Sequence, residues 1–77
     1  MAKHGVSFPD ATSVFLDERA LMRDDPHAGE ERYVALGMDV LGRILVVVYC
    51  WRTDDVRIIS ARKANRTERT YYEQVER

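Results

Sequence analysis

Five cations stand within fourteen residues of this chain: Arg57, Arg62, Lys63, Arg66 and Arg69, against the single acid Glu68. They fall where a run of β-branched residues, "VRIISARK", meets the capped segment "ANRTER". Arginine bonds two phosphate oxygens through a planar fork and keeps its charge at any working pH. Arg62 ends the run beside a helix start, where an anion is welcome, and is the first candidate to neutralise a phosphate. Lys63, its neighbour, points to the opposite face of an ideal strand. Glu31 and Arg32 form a second candidate pair, in "GEER", as general base and second phosphate clamp. Lys3 and His4 are candidate substrate ligands, and Tyr72 has a smaller claim to touch substrate. His27 has the titration range for acid–base work, and Trp51 the ring for stacking. Each has an ordinary structural role as well: a cap, a surface ion pair, a dipole partner, a packing ring.

The elements that must position these residues are legible in outline. Ser7 is an N-cap with Asp10 three residues on and Pro9 in the first turn, so a helix of about two turns starts there. Val6 and Ala11 are spaced as a hydrophobic staple. A weak strand is expected over Arg19–Arg23, then a loop punctuated by Asp-Pro and Ala-Gly. In "RYVALGMDV", Val34, Leu36, Met38 and Val40 alternate with Tyr33, Ala35, Gly37 and Asp39. Leu41-Gly42 turns the chain into "RILVVVYCW", whose unbroken apolar run suits a central strand. "RTDD" leads into the third strand of an antiparallel meander, in which Ile58 and Ser60 share Arg62's face. Asn65 and Glu68 have capping-box spacing. Ala64, Glu68, Tyr71, Tyr72 and Val75 then lie on one side of the last helix, which places both tyrosines against the sheet.

Composition sets the bounds. Seventy-seven residues make one domain, residues 1–77, with a small core. The single cysteine, Cys50, excludes an internal disulfide and is expected in the core. His4, His27 and Cys50 lack the spacing of a metal site, so no cofactor is expected. No apolar run approaches the ~18 residues of a membrane span, and a cytoplasmic location is expected. The net charge of −1 hides an asymmetry. Residues 1–31 carry three cations and seven acids (−4), and residues 32–77 carry nine and six (+3). An anion-binding surface is compatible with that distribution.

"KHGVSF", "GEERYVALG", "GRILVVVY" and "RIISARKANRTERTYYE" resemble, in this order and spacing over roughly residues 3–73, the BrnT family of toxins from type II toxin–antitoxin modules. The resemblance implies an α+β, RelE-like fold: an antiparallel three- to four-stranded sheet with a short N-terminal helix and a C-terminal helix. It implies a metal-independent endoribonuclease that arrests translation. It also implies a BrnA-type antitoxin as partner, with operator DNA reached through that antitoxin. Family members begin with a strand and a helix that runs into "KHG". This chain starts at "MAKHGV", so the resemblance implies an exposed sheet edge. The alternative is a catalytically inactive remnant that still binds antitoxin.

Overall fold

A computed structural model describes residues 5–25 and 31–75. Helix α1 (Phe8–Ser13) runs into a 3₁₀ turn (Val14–Leu16). Four strands follow, β1 (Leu21–Asp24), β2 (Tyr33–Met38), β3 (Ile44–Arg52) and β4 (Asp55–Lys63), and α2 (Arg66–Gln74) comes last. The strands form one antiparallel sheet in the order β1-β2-β3-β4. The architecture is α+β, as expected, with the weak first strand beginning two residues later than its sequence signal.

α1 begins where Ser7 caps it: the Ser7 hydroxyl accepts the Asp10 N–H at 3.2 Å. The staple pair Val6 and Ala11 is fully buried. Around it the main core forms on one face of the sheet, from Val6, Ala11, Val14, Ala35, Leu45, Val47, Tyr49 and Ala61. Phe15 meets Tyr49 edge-on at 4.8 Å, and Tyr33 lies 5.6 Å from the same ring. Burial raises the Tyr49 hydroxyl's pKa, with Tyr33 adding to the shift. β3 has a neighbour on each side, and Leu45, Val46, Val47 and Tyr49 are buried, as an unbroken apolar run requires.

In β2 the smaller residues take the core. Ala35 is fully buried, whereas Val34 and Leu36 are half-buried on the second face. Gly37 explains the close packing: a Cβ there would lie 2.9 Å from Ala20 Cβ and 2.9 Å from Val14 Cγ1. The 3₁₀ turn therefore packs directly on the β2 backbone.

A β-bulge between Val48 and Tyr49 alters β4. Val48 pairs with Ser60 and Tyr49 with Ile58, leaving Ile59 as the extra residue. Ile58 consequently packs against the core, on the opposite face from Arg62, and the expected shared face of Arg62, Ser60 and Ile58 is corrected. The tyrosine pair also divides. Tyr72 is 5% exposed, whereas Tyr71 is 59% exposed and does not pack into the core. Cys50 is half-buried.

Candidate functional site

Arg62 lies opposite Val46, which lies opposite Leu36. Neighbouring strands keep paired side chains on one face, so all three belong to the second face, away from α1. α2 borders this face. Between α2 and the sheet runs an open groove of about 510 Å³, lined by Leu21, Val34, Leu36 and Val46 from the strands and by Thr67, Glu68 and Tyr71 from the helix. Met22 and Arg23 of β1 also line it.

Glu68 belongs to both the groove and the arginine. Its Oε1 accepts from Arg62 Nη1 at 2.8 Å, and its Oε2 from Arg62 Nη2 at 2.8 Å. Oε1 also accepts the Asn65 N–H at 2.9 Å, while Asn65 Oδ1 accepts the Glu68 N–H at 2.8 Å. The expected capping box is therefore complete, and its carboxylate is at the same time the partner of Arg62. The Arg62 hydrogen bond, with help from the Asn65 N–H, holds the Glu68 carboxyl below the usual range against the opposing effect of burial. The same bond raises the Arg62 pKa. The anion at this helix start is the protein's own.

α2 is docked by a second polar joint. The Tyr72 hydroxyl donates to Asp17 Oδ2, which also accepts the Met38 N–H at 2.9 Å. Asp17 Oδ1 accepts the Arg19 N–H at 2.9 Å. One carboxylate thus joins the end of the 3₁₀ turn, the end of β2 and the last helix. Tyr72, a candidate substrate ligand by sequence, stands as a buried anchor of the helix that carries Glu68.

The other candidates lie elsewhere. Glu31 is exposed just before β2, and Arg32 is half-buried, its carbonyl accepting the Asp25 N–H at 2.9 Å. In the register, Arg62 stands level with Leu36, four residues from Arg32 and two strands away. Strand rise and spacing make that separation about 16 Å between backbones. Lys63 is exposed at the end of β4, opposite Leu45 and on the other face from Arg62. Trp51 is 58% exposed at the far end of β3. Lys3, His4 and His27 lie outside the described residues. Among the described residues, no three potential metal-ligating side chains converge, and no helix is long and apolar enough to cross a membrane.

Two positions carry more structure than sequence reasoning assigned them. Asp39, 5% exposed, accepts the Leu41 N–H at 3.1 Å and the Arg43 N–H at 2.8 Å through Oδ1. Its Oδ2 accepts from Arg43 Nε at 2.9 Å and Nη2 at 2.7 Å. Arg43 also reaches Asp10 at 3.0 Å, tying the β2–β3 turn to α1. The Asp39 hydrogen bond is the main reason that the Arg43 pKa is raised. A signal for this turn was available: Asp at the first position and Gly42 at the fourth is a type I turn pattern, and the Gly42 N–H does donate to the Asp39 carbonyl at 3.0 Å. Glu68 is the other position, because its capping role concealed its ion pair with Arg62.

The family model for the ribonuclease toxin BrnT of type II toxin–antitoxin systems matches residues 1–68. No curated protein matches the chain.

Proposed function

Because the chain belongs to the BrnT family of ribonuclease toxins, we propose that it cleaves RNA without a metal, by acid–base chemistry on a RelE-like scaffold, and so arrests translation and growth. In such cleavage the 2′-hydroxyl loses its proton to a base and its oxygen attacks phosphorus. The bond to the 5′-oxygen breaks, and an acid returns a proton to that oxygen. Negative charge builds on the phosphate, and a cation held in place stabilises it. Arg62 is assigned that role. The observation that carries the assignment is its bidentate bond to Glu68, which fixes the guanidinium beside the groove. Glu31 is assigned the role of base, Arg32 that of a second phosphate clamp, and Lys63 a substrate contact.

A type II toxin has an antitoxin partner. For this chain we assign a BrnA-type antitoxin, with operator DNA bound through it, and a cytoplasmic location. One observation favours the alternative of an inactive chain that only binds antitoxin: the groove is lined largely by Leu21, Val34, Leu36 and Val46, side chains that suit a protein ligand better than a phosphate. Induced expression separates the two readings. The ribonuclease reading expects growth arrest and RNA cleavage from the unaltered chain, and neither from soluble Arg62→Ala. Equal toxicity of the two soluble proteins removes Arg62 from the site. Absence of arrest from both leaves the binding reading.

A further inference from the structure

A guanidinium offers five N–H donors. Glu68 takes one from Nη1 and one from Nη2, the end-on pair. The second Nη1 donor has only the Lys63 carbonyl, at 3.4 Å, which is beyond a good hydrogen bond. The side-on pair, Nε–H and the other Nη2–H, has no acceptor among the described residues, and the side chain is 42% exposed. The arginine is thus gripped on one edge and open on another.

The grip is itself rigid. Glu68 is fixed by both halves of the capping box, and α2 is docked through Tyr72 onto Asp17. We propose that Glu68 is a positioning residue for RNA cleavage. It holds the plane of the Arg62 guanidinium so that the open Nε–Nη2 edge meets the scissile phosphate bidentately. The proposal rests on the reading of Arg62 as the phosphate ligand. A free arginine loses much rotamer freedom when it binds, whereas this one has lost it on folding. The carboxylate also has a cost, since it places a negative charge near the phosphate. Positioning and charge therefore act in opposite directions, and a purely structural Glu68 would not separate them.

Glu68→Gln tests this. Its carbonyl oxygen still accepts the Asn65 N–H and Arg62 Nη1, so the helix start survives, but its amide N–H₂ faces Arg62 Nη2, a donor against a donor, and the bidentate grip is lost. Asp39→Ala is the control, because it lowers stability at the β2–β3 turn and leaves both Arg62–Glu68 bonds. Cleavage of a short single-stranded oligoribonucleotide gives kcat and KM. Binding of its 2′-O-methyl form, followed at the Arg62 Nε–H resonance by nitrogen-15 NMR, needs no cleavage.

For Glu68→Gln, kcat should fall about 10- to 100-fold, the scale of a misplaced catalytic contact, while KM stays level or drops. Asp39→Ala should keep its kcat despite a lower melting temperature. An unchanged kcat in Glu68→Gln, or an equal fall in Asp39→Ala, overturns the proposal. If the unaltered chain does not cut RNA, the ribonuclease reading fails and the resonance decides the rest. A shift on adding the probe that is lost in Glu68→Gln upholds the positioning role; no shift, or the same shift in both proteins, overturns it.

Discussion

Gly37→Ala tests whether the close approach of the 3₁₀ turn to β2 organises this fold. The added Cβ would lie 2.9 Å from Ala20 Cβ, 2.9 Å from Val14 Cγ1 and 3.2 Å from Asp17 Oδ2. Carbon atoms rest at about 3.5–4.0 Å, so two contacts must each open by roughly 0.6–1.1 Å. Neither neighbour yields easily. Val14 is fully buried in the core, and the Ala20 Cβ has no torsion that could move it. Asp17 is held by the Met38 N–H and the Tyr72 hydroxyl. Overpacking of a core costs about 1–3 kcal/mol, and a loosened hydrogen bond to a charged group about 1.5 kcal/mol more. Replacing glycine stiffens the unfolded chain and returns about 0.4–1 kcal/mol. The net expectation is a loss of about 1.5–4 kcal/mol, or a fall in Tm of roughly 6–32 °C for a domain of this size. Urea unfolding followed by circular dichroism should show a lower midpoint at an unchanged slope. Val14→Ala removes one of the two carbon contacts, so the double variant should be more stable than the sum of the single losses, by more than about 0.5 kcal/mol. A loss below about 0.5 kcal/mol for Gly37→Ala, within the range of an ordinary surface change, would refute the close-packing argument.

Asp39→Ala should destabilise by about 2–3 kcal/mol from the two turn N–H groups, of Leu41 and Arg43, that lose their acceptor; urea unfolding measures it, and a loss no larger than that of an exposed acid would remove Asp39 from the turn's support. Acid unfolding reports on Glu68. Its folded pKa is lowered from 4.5, mainly by Arg62, so its contribution is present above that unfolded value and is lost as pH falls through the lower folded value. The unaltered chain should therefore lose stability below about pH 4.5 more steeply than Glu68→Gln, and identical acid limbs would show that the ion pair stabilises nothing.

What the sequence by itself determined is local. Ser7 and the Asn65–Glu68 spacing start their helices because a cap needs a partner only three residues away. The apolar run of β3 and the turns on either side set the meander, since strand periodicity is written within one segment. The tertiary structure decided everything that depends on two distant segments meeting. The bulge at Val48/Tyr49 put Ile58 against the core and left Ile59 as the extra residue, a shift in pairing that alternation within β4 does not contain. Gly37 reads as an unremarkable strand residue until the 3₁₀ turn is packed on it. Two candidate cations, Arg62 and Arg32, are compatible with one site in sequence, yet strand register sets them two strands and four residues apart. Arg62 and Glu68 are six residues apart, a spacing that neither the helical nor the strand period brings together. They meet because the chain leaves β4 at Lys63 and turns through Ala64, whose N–H donates to the Ile44 carbonyl, before α2 begins. Periodicity and caps specify elements; register and docking decide which charges face each other.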